Sequence, residues 1–228
     1  MGDGSKHGVS PGEAGRTRYV PALGIAALTG LYDTVLALTM RERRWRPPLC
    51  ERVAAHVPDG GRIVDVGAGT GTLAIALAAR RADAQVIAVD GDPEVLRLAR
   101  SKPGADHVSW RPGLAGELEL EDASVDAVVM SLLLHHLEPD AKHRALTDAR
   151  RVLRAGGRLH VADWGKPHDP GMRAAFAIVQ LIDGRAGTRD HAAGRLPTLL
   201  VDAGFPRVER YRRLRTVFGS LDLIEART

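Results

Sequence analysis

Ile63-Val64-Asp65-Val66-Gly67-Ala68-Gly69-Thr70-Gly71 decides the fold of this 228-residue chain. A short apolar run broken by one acid meets three alternating glycines, and a helical apolar pattern follows. A buried strand that turns sharply into a helix needs this arrangement. Glycine adopts backbone conformations closed to other residues and leaves the main chain bare where a ligand approaches. Asp90 ends the next apolar run and Gly91 follows it. A carboxylate at that place can accept both hydroxyls of a ribose lying over the glycine turn. The spacing Gly-x-Gly-x-Gly is one residue short of the Gly-x-Gly-x-x-Gly that seats a pyrophosphate on a helix N-terminus, which disfavours a nicotinamide dehydrogenase. Asp65, two residues before the first glycine, suits a ligand with a cationic amino-acid end better than one with two phosphates.

Outward from the loop, short apolar runs alternate with helical patterns. Strands are expected at 62–66, 85–89, 107–111, 125–130 and 158–163. Helices are expected at 70–81, from the cap Asp92 and first-turn Pro93 to 101, and at 140–154. Such alternation means crossover units and a parallel sheet covered on both faces. Further on, helices are expected at 170–183 and 191–203 and strands at 207–215 and 217–226. Two strands with no helix between them must pair as a hairpin. The fold class is therefore α/β: a doubly wound seven-stranded sheet, its last strand antiparallel, with an N-terminal helical lid. Residues 1–18, rich in Gly, Ser and charge, read as a mobile tail. Residues 19–58 read as the lid helices, one at 22–40 and one opened by Pro47-Pro48 and running to about residue 57. Residues 59–228 read as the ligand-binding domain, with a helical cover at about 165–203.

Composition narrows the class. Hydrophobic residues at 44% and charged residues at 26% describe a packed globular chain. The one cysteine, Cys50, excludes a disulfide framework or a thiolate metal cluster within one chain. Aromatic content of 4% argues against a stacking platform for single-stranded nucleic acid. The formal net charge is +4, and the basic excess lies at the two ends without a dense run, so no nucleic-acid partner is expected. Residues 20–40 carry Asp33 as their only charge and are long enough to cross a bilayer. Pro21, Gly24, Gly30, Tyr32 and Asp33 weigh against a transmembrane span, and a helix packed on the domain is expected instead. The polar stretch before it is unlike a secretory signal. The expected location is cytoplasmic, with peripheral membrane contact and oligomeric state left open.

These motifs resemble the class I S-adenosylmethionine-dependent methyltransferases. Val64 through Gly71 is similar to that family's first motif, and Val89-Asp90-Gly91-Asp92-Pro93-Glu94-Val95-Leu96 to its second. Leu118 through Asp126 and then Val128 through Leu137 are similar to the fourth-strand region, and Arg151 through Leu159 to the entry into strand five. Leu31-Tyr32-Asp33 and Arg44-Trp45-Arg46 resemble the branch of ubiquinone/menaquinone-biosynthesis C-methyltransferases, and Ala203-Gly204-Phe205 before the hairpin also fits. The likeness spans about residues 30–226. It implies a Rossmann-like methyltransferase fold, S-adenosylmethionine as cofactor and S-adenosylhomocysteine as product. It further implies that Gly67, Ala68, Gly69 and Gly71 pass under the cofactor, with Asp65 near the methionine end. Asp90 would bind the ribose, Gly91 would lie beside the adenine, and Ser131 would offer its carbonyl to the methionine amino group. Tyr32 would close over the cofactor. The family often has an aspartate after Gly113, where this chain has Leu114. A leucine packs on the base without accepting its N–H, which leaves adenine recognition to backbone groups.

Methyl transfer from a sulfonium is an in-line displacement, so the protein mainly aligns the nucleophile and excludes water. A hydroxyl or carbon acid also needs a proton removed. The candidate bases are His135 and His136 after strand four and Asp163 at the end of strand five, with weaker claims for His168 and His191. His160 lies mid-strand and reads as a core residue. Adjacent side chains of extended chain point apart, so no metal site is expected at His135-His136. Met172, Phe176 and Val179 recur at helical spacing, widened by Ile178, Leu181 and Ile182, and imply a closed apolar pocket. The activity expected is O- or C-methylation of a small, lipophilic organic molecule. The alternative is an S-adenosylmethionine-binding protein with a regulatory or non-methylating role. An exocyclic adenine methylase carries Asn/Asp-Pro-Pro-aromatic after strand four, and Ser131-Leu132-Leu133-Leu134 does not.

Overall fold

The structure, a computed structural model, describes residues 41–228; the tail, the 22–40 helix and Tyr32 lie outside the described residues. In chain order the elements are α1 (Glu42–Ala54), β1 (Arg62–Val66), α2 (Thr72–Arg80), β2 (Gln85–Asp90), α3 (Pro93–Arg100), β3 (Val108–Pro112) and β4 (Val125–Ser131). They continue with α4 (Pro139–Val152), β5 (Leu153–Gly165), α5 (Pro170–Ile182), α6 (Arg185–Ala193), α7 (Leu196–Asp202), β6 (Arg207–Arg215) and β7 (Ser220–Arg227). Seven strands form one sheet in the order β3-β2-β1-β4-β5-β7-β6. Strands β1 to β5 are mutually parallel, and β7 runs antiparallel to both its neighbours.

The expected hairpin is present, but β7 lies inside it, between β5 and β6. Burial explains the order. Residues Ser220 to Ala226 are all buried, as a strand covered on both faces must be, whereas β6 has only exposed and half-buried residues. The arginine-rich strand therefore takes the edge, where charge discourages pairing with another chain. At the other reversal the chain winds outward from β1 to β3 and returns at β4. The carboxyl ends of β1 and β4 thus frame a crevice, the place where doubly wound sheets hold ligands.

Three expectations need correction. Pro47 and Pro48 lie inside α1 rather than opening it. Their rings remove two helical N–H donors, and burial of Trp45, Leu49, Cys50 and Val53 against α2 and the sheet offsets that loss. Consequently α1 packs as a layer of the core. The helix expected at 191–203 is two helices, because Gly194 takes a left-handed conformation (φ 76°) that ends α6. Finally, the helix end at residue 154 is two residues too long. At Leu153 the chain already pairs with Val125, and after a register jump holding Gly156-Gly157 the pairing resumes at Arg158 with Ala127. No helix among the described residues is long and apolar enough to cross a membrane.

Candidate active site

The glycine loop is pinned to the end of β2. The N–H groups of Gly67 and Ala68 both donate to the Val89 carbonyl, at 2.8 and 3.1 Å. Asp90 completes the clamp: its Oδ2 accepts the Gly69 N–H (2.8 Å) and its Oδ1 the Asp92 N–H (2.9 Å). Partial burial pushes this carboxyl up despite those donors. Each oxygen retains a lone pair for a further donor, such as a ribose hydroxyl. The three glycines have different duties. A Cβ on Gly69 (φ 55°) would meet nothing within 4 Å, so this glycine lies open to a ligand. On Gly67 it would meet the Leu133 side chain at 2.7 Å, and on Gly71 (φ 77°) the Trp110 ring at 2.2 Å. Gly71 is thus required by packing as much as by the turn. The Gly113 N–H donates to the Asp90 carbonyl (3.0 Å), which brings Gly113 and the half-buried Leu114 beside Asp90 and Gly91. Ser131 ends β4, next to β1 in the sheet.

Asp65 is fully buried, and neither of its oxygens has a hydrogen-bond partner. Burial, reinforced by the Asp90 charge and opposed by Arg46, pushes its carboxyl up to about 7. An orphaned acid in the strand that feeds the loop, a bare turn at Gly69 and spare lone pairs on Asp90 together fit a ligand with a cationic amino-acid end and a sugar diol.

A second constellation gathers where β4 and β5 end. Leu132 takes φ 51°, a left-handed conformation that costs a non-glycine residue about 1–2 kcal/mol. This turn lays Leu133 over Gly67 and sets the 3-10 turn Leu134–His136 against β5. Asp163 Oδ2 accepts the Leu134 N–H (2.8 Å), and its Oδ1 accepts the Trp164 N–H (2.7 Å). His135 Nδ1 lies 2.7 Å from the same Oδ1, and His191 Nε2 lies 3.6 Å from it. Burial opposes the Asp163 charge, but the His135 imidazole and the N–H donors outweigh it and hold the carboxyl well below the ordinary range. An ionised Asp163 only accepts, so Nδ1 of His135 must carry a proton, and whenever the ring has a single proton Nε2 is the atom left as acceptor.

His135 Nε2 lies 3.7 Å from Asp183 Oδ2, and His136 Nδ1 lies 3.9 Å from Asp183 Oδ1. The two adjacent histidines therefore converge, with ring centroids 4.0 Å apart. The expectation that they diverge fails because the chain has left the strand, and a 3-10 turn does not alternate faces. Desolvation by the packed turn and the neighbouring His135 push His136 down from the ordinary imidazole range, although its outer edge stays exposed, and burial raises Asp183. Helix α6 closes the back. His191 is fully buried, neither nitrogen finds a hydrogen-bond partner, and burial lowers it to about 4. Buried Lys142 donates to the Gly187 carbonyl and lies 3.3 Å from Asp190.

The structure thus unites His135, His136 and Asp163 and adds Asp183 and His191. Asp183 ends α5, and nothing in its spacing ties it to residue 135; His191 had only a weak claim. His168 bonds Ser220 Oγ (2.7 Å) instead, and His160 is buried beside His56 and Glu225. On α5, Met172, Phe176 and Val179 are buried, with the Phe176 ring against Trp164. Ile178, Leu181 and Ile182 are 49%, 85% and 74% exposed, so they line no pocket built by the described residues.

Comparison with known proteins bears on this geometry. Residues 63–157, from β1 through the start of β5, match the family described as a methyltransferase domain. The demethylmenaquinone methyltransferase of Deinococcus radiodurans is 31% identical over 206 residues, covering 86% of this chain and 81% of that protein. A ubiquinone/menaquinone biosynthesis C-methyltransferase of a Geobacter species is 27% identical over 87% of this chain and 86% of its own length. Among solved structures, an S-adenosylmethionine-dependent methyltransferase of Thermotoga maritima superposes with a TM-score of 0.63 at 20% identity, covering 88% of this chain and 96% of that one. Joined to the bare loop, the Asp90 clamp and the strand order, these likenesses show that the chain belongs to the class I S-adenosylmethionine-dependent methyltransferases, and that it resembles their quinone-biosynthesis branch.

Proposed function

We propose that this methyltransferase acts in the cytoplasm on a small lipophilic acceptor whose oxygen or carbon must lose a proton, and that His135 takes that proton. The observation that carries this reading is the His135–Asp163 pair of 2.7 Å, buried two residues from the Leu133 that covers Gly67. S-adenosylmethionine supplies an activated methyl group on a sulfonium. Gly67, Ala68, Gly69 and Gly71 would form its floor, Asp65 would face its ammonium, and Asp90 would grip its ribose. Gly91, Gly113 and Leu114 would flank the adenine, and Ser131 would meet the amino group. Asp163 fixes the His135 tautomer and stabilises the imidazolium once the proton has moved. His136, exposed at the rim beside it, offers a second imidazole to the acceptor.

The named quinone-biosynthesis relatives make a hydroquinone the first acceptor to try. S-adenosylhomocysteine release is measured with hydroquinones, phenols and amines. Turnover is expected with the oxygen acids, falling about 100-fold or more in His135→Ala, while S-adenosylhomocysteine affinity is kept. Turnover with amines alone, or an unchanged rate in His135→Ala, would contradict the reading.

A further inference from the structure

We infer that His135, His136 and Asp183 form a binding site for one divalent cation of the kind that favours imidazole, such as Zn²⁺, Co²⁺ or Ni²⁺. The two imidazole nitrogens face the two oxygens of one carboxylate, at 3.7 and 3.9 Å. All three ligand atoms lie within 4.8 Å of one another. Donors bound to one tetrahedral ion at about 2.0–2.1 Å stand roughly 3.3–3.5 Å apart. The side chains therefore need only modest rotation to close on an ion.

The support behind the ligands argues for a built site rather than a chance cluster. His135 Nδ1 is tied to Asp163, and Asp163 is fastened in turn by the N–H groups of Leu134 and Trp164. Metal-binding imidazoles are commonly held this way, because a carboxylate on the far nitrogen fixes the ring and raises its basicity. Two imidazoles and one carboxylate leave a coordination position for water or an acceptor oxygen. The other group of similar composition, His56, His160 and Glu225, differs in charge. Glu225 already accepts from Arg52, Arg158 and Arg227, and three guanidinium groups repel a cation. A cation on His135 Nε2 takes the lone pair that proton removal needs, so ion and proton compete for one atom. That consequence rests on the proposed methyl-transfer chemistry; the site itself does not.

The test is titration of Co²⁺ into the full, untagged chain, followed by visible absorption and by tryptophan fluorescence. The Trp164 ring lies 6.0 Å from that of His135, within quenching reach. One tightly bound ion is expected, with quenching lost in Trp164→Phe. Affinity should fall at least tenfold in His136→Ala and in Asp183→Asn, both partly exposed positions that tolerate change, with folding checked by circular dichroism. Asp163→Asn should weaken binding about 10–100-fold, and His56→Ala should leave it unchanged. Binding that survives both His136→Ala and Asp183→Asn, or that vanishes in His56→Ala, overturns the site. So does failure to bind millimolar Co²⁺ by a chain that still binds S-adenosylhomocysteine, an outcome that leaves the methyl-transfer chemistry standing. Co²⁺ bound here by a chain that does not bind S-adenosylhomocysteine keeps the site and removes the cofactor assignment instead.

Discussion

Asp65 shows how a single buried residue can be costly to the fold. Its folded pKa of about 7 stands above the ordinary aspartate value near 3.9. Between those values the folded chain binds more protons than the unfolded chain, so the Asp65 contribution makes stability fall as pH rises from about 4 to 7. Asn at this position cannot ionise and escapes that loss. Asp65→Asn is therefore expected to gain about 2–4 kcal/mol relative to the parent on going from pH 4 to pH 8, measured by urea unfolding at both values. An identical difference at the two pH values would mean that Asp65 ionises freely. The acid and its place in the strand were legible from local pattern. Its lack of partners was not, because burial of a side chain is decided by elements far away in the chain.

At the scale of elements, what was readable followed local rules, and what was missed followed tertiary ones. The cap Asp92 and first-turn Pro93 start α3 as expected, Asp92 accepting the Glu94 N–H at 2.9 Å. Pro47-Pro48 read as a helix start under the same rules and were overruled by the burial of Trp45 and Leu49. Helix α6 has little apolar period to read. It is held by its buried Gly187, Thr188, Asp190 and His191 against the turn that carries His135. Gly187 is the closest approach, since a Cβ there would lie 2.2 Å from the His135 carbonyl oxygen. Helix propensity alone would reward alanine at this position by about 1 kcal/mol. A clash with backbone outweighs that gain, because neither helix nor turn can yield cheaply. Gly187→Ala is expected to lower the melting temperature and to reduce methyl transfer by displacing His135. A raised melting temperature with full turnover would show that α6 is not packed as described.

The whole molecule sets the site by topology. Strand order reverses between β1 and β4, and the loop, Asp90 and the histidine turn all emerge on that side. This much was visible in the alternation of strands and helices around Gly67-Ala68-Gly69. The place of β7 between β5 and β6 was not, since a hairpin has two ways to join a sheet edge. Glu225 now marks the outcome: buried in β7, it accepts from Arg52 of α1 and Arg158 of β5, tying α1 to the sheet. The central claim is that this crevice grips S-adenosylmethionine through Asp90 over a bare glycine turn. Calorimetric titration of S-adenosylhomocysteine into the parent chain and into Asp90→Ala tests it most directly, with NADH as the control ligand. The account predicts one-to-one binding by the parent, loss of binding in Asp90→Ala and no heat from NADH. Equal affinity in parent and variant, or binding of NADH in place of S-adenosylhomocysteine, would contradict it.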